Sequence, residues 1–235
     1  MLVPKSDMKR LREEKRRRKF TVAIFGSARI RQNDPSYRRV YRLGKWIGAK
    51  GFDVVTGGGP GLMDAASKGH QEGRKSLGAR SVGLNIILPR EQKANRHLDI
   101  KTEFPRFSER LDTFMFLANV VVVGPGGIGT LLELLYAWQL IQVRDVDDVP
   151  IILIGDMWPE LVDWVRRWPL RRRLLSQADL DHLLLVRDIP EAMRIIEAAY
   201  DAYKRKRKLS SRDLKNAIAP SSSAGRRRGR GRHRN

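Results

Sequence analysis

Short runs of β-branched and other apolar residues alternate along this chain with longer segments whose apolar positions recur every three or four residues. Such short runs are typical of buried strands and the longer segments of amphipathic helices, so their alternation predicts a doubly wound parallel sheet. We expect strands at residues 21–25, 53–56, 82–88, 119–124, 149–154 and 183–186. We expect helices at residues 35–49, 62–73, 107–117, 130–142, 158–168 and 190–203. The fold class is therefore α/β, Rossmann-like, with a single domain.

The positive charge of the chain lies mostly at its two ends. The 235 residues carry a formal net charge of +21. Residues 1–19 hold nine Lys or Arg against three acids, and residues 204–235 hold thirteen against one. We therefore divide the chain into a basic N-terminal extension (1–19) that could form a solvated helix, a Rossmann-like domain (20–203), and a disordered basic tail (204–235).

The composition favours a soluble, cytoplasmic protein. The chain has no cysteine, which fits a reducing compartment. Its first twenty residues lack the apolar run that a signal peptide needs, and its longest apolar stretches have only the length of a strand.

Two glycine-rich turns follow predicted strands and open predicted helices. Ligands of open α/β sheets bind outside the carboxyl ends of the strands, which draws attention to these turns. Glycine lets a phosphate approach the backbone, and a helix N-terminus offers unpaired N–H groups. The alternative is that the glycines only make tight turns. The four post-strand loops read FGSAR (25–29), TGGGPGLM (56–63), LPREQ (88–92) and PGGIGTLLE (125–133).

Two charged residues fall at the same edge of the predicted sheet. Arg110 lies early in the helix that precedes strand 119–124, and Thr130 and Glu133 are placed in the first turn of the helix that follows it. We expect Arg110 and Glu133 to face one crevice together with the glycine turns. The alternative is a helix-dipole partner at Glu133 and a solvated charge at Arg110.

These motifs resemble the Lonely Guy family of cytokinin-activating phosphoribohydrolases, whose bacterial members are often labelled lysine decarboxylases. The resemblance covers roughly residues 20–200 and rests on TGGGPGLM, Arg110 and PGGIGTLLE, with the FGSAR opening and the LNIILPREQKAN segment. It implies a nucleoside 5′-monophosphate phosphoribohydrolase that releases a free base and ribose 5-phosphate. The substrate would be AMP or a cytokinin riboside monophosphate, and relatives are commonly dimers.

The resemblance also implies roles for individual residues. Glu133 and Arg110 would be the catalytic pair, with Glu133 stabilising positive charge on the ribose or orienting water. Arg110 would bind phosphate or polarise the leaving base. The family's arginine is commonly followed by lysine, whereas Leu111 follows it here. The predicted substrate-binding residues are Gly126, Gly127, Gly129, Thr130, Gly57, Gly58, Gly59, Glu91 and Ser27.

Neither a cofactor nor a metal is expected. Gly124, Gly126 and Gly129 match a dinucleotide fingerprint, but it follows the wrong strand and Pro125 interrupts it. The glycine turns supply no Walker lysine and no lysine for pyridoxal phosphate. The four histidines lack metal-ligand spacing and are expected at the surface.

Three further expectations concern contacts with other molecules. The tryptophans at 158, 164 and 168 predict a packed helix face rather than a base-stacking platform. Apolar residues in 114–117 and 134–140 belong either to a dimer contact or to the core. The basic ends either bind nucleic acid non-specifically or confer solubility only.

A non-catalytic nucleotide-binding or sensing protein, attached to nucleic acid through those ends, is the alternative to the enzyme.

Overall fold

The chain folds around one parallel sheet. A computed structural model describes residues 5–17, 19–75, 78–87, 95–146 and 149–218. Within these ranges, seven strands pair in the order β4-β3-β2-β1-β5-β6-β7, and every pair is parallel. The strands are β1 Thr21–Phe25, β2 Asp53–Thr56, β3 Ser81–Ile86, β4 Ile100–Phe104, β5 Val120–Val123, β6 Ile151–Ile154 and β7 Leu183–Val186. The predicted doubly wound α/β fold is confirmed.

Helices cover both faces of this sheet. They are α1 Lys5–Arg16, α2 Pro35–Ala49, α3 Leu62–Gly73, α4 Phe107–Leu117, α5 Ile128–Gln142, α6 Trp158–Val165, α7 Gln177–Asp181 and α8 Ile189–Ile218. Apolar side chains of α1, α4, α5, α6 and α7 pack in one hydrophobic cluster against the sheet. Those of α2, α3 and α8 form a second cluster on the opposite face. None of the described helices combines the length and apolarity that crossing a bilayer requires.

Strand β4 was missed by the sequence prediction. Its residues alternate between buried and exposed, with Lys101 and Glu103 pointing to solvent and forming an ion pair of 2.6 Å between Nζ and Oε1. The strand lies at the edge of the sheet, where one of its faces stays wet. Continuous apolar runs mark the inner strands, and an alternating strand of five residues with two charges does not stand out beside them.

Three predicted helix boundaries are wrong. Helix α6 ends at Val165 rather than at residue 168. Helix α5 begins at Ile128 rather than at residue 130, because Gly129 adopts helical backbone despite the low helix propensity of glycine. Helix α8 continues to Ile218, so residues 204–218 are helical rather than disordered. Alternating Lys and Arg have good helix propensity, which allows a packed helix to extend beyond its last contacts. The tail residues 219–235 lie outside the described residues.

The N-terminal helix is present as predicted but is not a solvated arm. Leu11 is buried in the cluster that lies under α4, at 1% exposure. Glu14 is buried and receives ion pairs from Arg17 and Arg80. Arg17 also reaches the carboxylate of Asp53, the first residue of β2, at 3.5 Å. The described part of the extension is therefore part of the folded domain, and its removal would expose apolar surface and leave Asp53 and Arg80 without their partners Arg17 and Glu14.

Two expectations for aromatic and histidine side chains are wrong. Trp158 is fully buried, but Trp164 and Trp168 are 53% and 57% exposed, so the three do not share a packed face. His70 is completely buried instead of lying at the surface, because α3 packs tightly against α2 and β2. Its Nε2 lies 2.9 Å from the carbonyl oxygen of Phe52.

The buried His70 predicts acid-dependent stability. Desolvation by burial lowers the pKa of His70 to about 4 from the ordinary value of 6.5. Because its folded-state pKa is depressed, the stability it permits is complete above about pH 6.5 and is lost as the pH falls towards 4. We expect the wild type to lose about 2 kcal/mol of unfolding free energy between about pH 7.5 and pH 5 through this group.

His70→Gln supplies the matched measurement, since an amide can still donate to the Phe52 carbonyl but does not titrate. Urea unfolding of both proteins at the two pH values should show the smaller acid loss in the variant. Asp53, whose pKa burial raises to about 6, changes stability in the opposite sense and equally in both proteins. Equal acid losses in the two proteins would show that His70 does not control this range.

Candidate active site

Three loops meet at the carboxyl edge of the sheet because β2, β1 and β5 are neighbours. Backbone hydrogen bonds join them in series. Ser27 N donates to the carbonyl of Pro125 at 3.0 Å, and Leu62 N donates to the carbonyl of Ser27 at 3.0 Å. The loop after β1 therefore lies between the two glycine-rich turns and fixes their separation.

A buried ion pair lies beside these loops. Nη2 of Arg110 is 3.0 Å from Oε1 of Glu133, and the two residues are only 6% and 8% exposed. Nε of Arg110 donates to the carbonyl of Leu84 at 2.6 Å, and its guanidinium lies 5.0 Å from the ring centre of Phe114. The guanidinium is thus held from two sides, with one nitrogen directed at the carboxylate.

Burial and the ion pair act on Glu133 in opposite directions. Desolvation raises the pKa of Glu133 above its ordinary value, while the charge and the hydrogen bond of Arg110 lower it. Burial is the larger effect, so the pKa of Glu133 stays above its ordinary value, and the charge of Arg110 lowers the cost of ionising this carboxylate. A buried carboxylate of this kind interacts strongly with a positive charge that develops beside it.

The first glycine turn makes room for the ion pair. A Cβ at Gly57 would overlap the Arg110 guanidinium and the sulfur of Met63. Gly57 was predicted to bind substrate, which stays a prediction; its position shows that a side chain here would crowd the guanidinium with which Arg110 reaches Glu133. Gly58 has a φ of +70°, which a residue with a side chain rarely adopts.

The second glycine turn opens α5 as a bare helix N-terminus. Gly127 precedes the helix and offers no side-chain cap, and a Cβ at Gly127 or Gly129 would meet no atom within 4 Å. The first turn of α5 carries no acid, so the backbone N–H groups and the helix dipole face the crevice without a competing negative charge. This turn can accept a phosphate.

The start of α3 is less suited to an anion. Its first N–H, from Leu62, already donates to Ser27, and its first turn contains Asp64. Asp64 accepts a hydrogen bond of 2.7 Å from the hydroxyl of Tyr37. Of the two helix starts, that of α5 is therefore the better phosphate site.

The position of Glu133 within α5 differs from the prediction. Because α5 begins at Ile128, Glu133 lies in its second turn rather than its first. The rise of about 1.5 Å per residue separates it from the helix start by a distance comparable to that between the 5′-phosphate and C1′ of a nucleotide. A nucleotide whose phosphate lies at the helix start can then bring its sugar to the carboxylate.

Sequence reasoning missed Asn85. This residue lies in β3, is 8% exposed, and its buried Oδ1 has no hydrogen-bond partner among the described residues. A Cβ at Gly58 would overlap that side-chain amide, so the polar group borders the first glycine turn. A polar residue inside an otherwise apolar strand next to the active edge was the signal that could have identified it.

Asn95 holds the first glycine turn in place from outside. Its backbone N donates to the carbonyl of Gly58 at 2.9 Å, and its side chain donates to the carbonyl of Gly59 at 3.2 Å. Asn95 belongs to the segment that returns from β3 towards β4. It was not singled out in the sequence because a lone asparagine in a polar loop carries no distinctive pattern.

The structure brings nearly all of the predicted site residues to one edge of the sheet. They are Arg110, Glu133, Gly57, Gly58, Gly59, Ser27, Gly126, Gly127, Gly129 and Thr130. Thr130 is buried, and a Cβ at Gly126 would overlap its side chain. Glu91 lies outside the described residues. In the described part of the chain, no three His, Asp or Glu residues are grouped as metal ligands.

Comparisons with known proteins agree with this arrangement. A family model described as possible lysine decarboxylase matches residues 63–196. The pyrimidine/purine nucleotide 5′-monophosphate nucleosidase of Escherichia coli K12 is 32% identical over 142 residues, which are 57% of this chain. That match covers 30% of the nucleosidase, so the chain spans about a third of the length of this relative.

Two further matches extend over most of the chain. The cytokinin riboside 5′-monophosphate phosphoribohydrolase of Mycobacterium tuberculosis H37Rv is 26% identical over 184 residues, covering 74% of this chain and 92% of that enzyme. The molybdenum cofactor carrier protein of Chlamydomonas reinhardtii superimposes with a TM-score of 0.57 at 22% identity, covering 78% of this chain and 99% of that one. The last similarity shows a shared fold.

Proposed function

Since the chain belongs to the family described as possible lysine decarboxylase, the Lonely Guy family, we propose that it hydrolyses the N-glycosidic bond of a nucleoside 5′-monophosphate. The products are a free base and ribose 5-phosphate. One observation carries the proposal: a buried Arg110–Glu133 pair lies one helical turn beyond a bare helix N-terminus. Nucleotide 5′-monophosphates place a phosphate and an anomeric carbon at a similar separation.

The chemistry follows from those positions. The 5′-phosphate accepts hydrogen bonds from the N–H groups that open α5. Cleavage of the bond between C1′ and the base nitrogen leaves positive charge on the ribose, which the Glu133 carboxylate stabilises. Water supplies the oxygen that bonds to C1′ and the proton that the departing base acquires. Arg110 keeps Glu133 ionised and lies where it can reach the phosphate or the base.

A decarboxylation that uses pyridoxal phosphate does not fit these residues. That cofactor requires a lysine for its Schiff base. The described loops after β1, β2 and β5 (26–31, 57–61 and 124–127) contain glycine, proline, serine and arginine but no lysine. The carboxylate–guanidinium pair instead suits the stabilisation of a cation.

The decisive experiment is incubation of the protein with a panel of monophosphates and chromatography of the released bases. AMP, CMP, GMP, UMP and an N6-isopentenyl adenosine monophosphate would report the base preference. We expect equimolar free base and ribose 5-phosphate from at least one of them. A nucleotide that protects the protein against thermal unfolding without any base release would favour the binding or sensing alternative instead.

We also propose that two copies associate through the outer face of α5. Within the predicted segments 114–117 and 134–140, most apolar residues belong to the core, but Phe116 and Leu135 are about half exposed. Leu132 and Ile128 extend this apolar face to the mouth of the phosphate loop. Light scattering should give twice the chain mass, and Leu132→Glu with Leu135→Glu should give the monomer.

A further inference from the structure

The edge of the sheet opposite the catalytic crevice gathers three basic segments. Helices that follow parallel strands run back towards the strands' amino ends, so α6 and α8 both finish at this edge. The ring of Tyr200 in α8 makes an edge contact with Phe20 and a tilted contact with Phe52, which immediately precede β1 and β2. Arg17, just beyond α1, pairs with Asp53 at the start of β2.

Each segment carries four or five cations among the described residues. They are residues 15, 16, 17 and 19 at the end of α1 and just beyond it, the arginines at 166, 167, 171, 172 and 173 after α6, and residues 204–208 in α8. Neighbouring strands are about 4.8 Å apart, so β2 and β6, three positions apart in the sheet, are separated by roughly 14 Å. A short stretch of an extended polyanion can therefore contact more than one segment.

The middle segment also exposes two indole rings. Trp164 and Trp168 are four residues apart, across the end of α6 and the π-helical turn Arg166–Leu170. Both are more than half exposed, and arginines precede and follow the second one along the chain. Hydration of an exposed indole ring is unfavourable, so a pair of exposed tryptophans indicates a contact surface.

The acidic residues near this patch neutralise little of its positive charge. Asp163 pairs with Arg166 at 3.2 Å, and Asp179 is occupied in capping α7. Arg171, Arg172 and Arg173 are exposed and form no ion pair with any described residue. The patch therefore offers several unneutralised guanidinium groups beside two flat apolar surfaces.

We propose that this edge, with Trp164 and Trp168 at its centre, binds single-stranded nucleic acid. Bases stack on the indoles while the three basic segments contact phosphates, a combination that tolerates any sequence. Arginines are interleaved with the tryptophans, so insertion of the indoles into a lipid acyl layer would draw guanidinium groups in with them. A base-and-phosphate polymer matches that interleaving, and an acyl layer does not.

The test measures anisotropy of a fluorescein-labelled oligodeoxythymidylate of about twenty nucleotides with the full chain, at about 50 and about 200 mM salt. Three variants are compared with the wild type. One replaces both Trp164 and Trp168 by Ala, and one replaces Arg171, Arg172 and Arg173 by Ala. The matched control replaces the exposed arginines at 38, 39 and 42 of α2 by Ala, which removes the same charge elsewhere.

We expect the double tryptophan variant to bind roughly tenfold or more weakly. The variant at 171–173 should lower the slope of log affinity against log salt by about 2, and the α2 control should change it little. Base release from nucleotides should be unchanged in all three, because the opposite edge carries that reaction.

Equal losses in the 171–173 variant and the α2 control would overturn the proposal, since net charge alone would then explain binding. Unchanged affinity in the tryptophan variant would overturn the stacking platform. Co-sedimentation with phosphatidylserine-containing vesicles that depends on the two tryptophans, with no oligonucleotide binding, would assign the patch to a membrane surface instead.

Discussion

Glu133→Gln should reduce base release by about 100-fold or more while nucleotide binding persists. The substitution keeps the shape of the side chain and its place opposite Arg110, but removes the negative charge that faces the ribose. That charge is valuable in the transition state because the carboxylate is buried and poorly solvated. The proposed phosphate site at the start of α5 does not include Glu133, so we expect affinity to be retained.

The measurement combines single-turnover base release with nucleotide affinity from equilibrium titration. Glu160→Gln is the matched control, because Glu160 is an exposed residue of α6 remote from the crevice. Base release by Glu133→Gln within a few-fold of the wild type would exclude the assigned role. Loss of nucleotide affinity by the same factor as turnover would instead make Glu133 a general binding residue.

Arg110→Ala should destabilise the fold as well as abolish turnover. Without the guanidinium, Glu133 remains buried with no opposing charge, a change that typically costs about 3–5 kcal/mol. The cost is largest at neutral and higher pH. An acid whose folded-state pKa is raised favours the folded state below its unfolded pKa, and that contribution is lost as the pH rises through the folded-state value. The variant should therefore become relatively more stable on mild acidification.

Urea unfolding near pH 7.5 compares Arg110→Ala with the double variant Arg110→Ala, Glu133→Gln. We expect the second substitution to restore a large part of the lost stability, because it removes the uncompensated charge. Arg39→Ala, on the exposed face of α2, controls for loss of one arginine. Additive effects of the two substitutions would show that the ion pair is not coupled in the folded protein.

The edge that holds the candidate active site was predictable because the order of strands and helices assigns it. Parallel strands with short connections bring every post-strand loop to one side, so Arg110, Glu133 and the glycine turns could be placed together from order along the chain. The sequence did not predict how deeply these side chains are buried. The burial of the ion pair and the unpartnered oxygen of Asn85 depend on side chains from β3, α4 and α5 that are distant in sequence.

Local pattern also failed where a periodic segment ends. Trp164 lies six residues after Trp158, about 120° around α6, and is therefore off the buried face. Helix α6 then stops at Val165, and the π-helical turn that follows has no buried residue. Pro169 accounts for the break in the helix, since it cannot supply a backbone N–H to a continuing helix. The arginines on either side of this turn are exposed to solvent, and so is Trp168.

The close approach of Gly57 to the Arg110 guanidinium makes the two glycine motifs structurally dependent on each other. A side chain at residue 57 would displace the arginine and so weaken its hold on Glu133, although residue 57 belongs to a different loop from either. A chimera that exchanges the TGGGPG turn for a bulkier one should therefore fail even with PGGIGTLLE intact. The effect of a substitution at residue 57 would thus reach PGGIGTLLE through the Arg110 side chain.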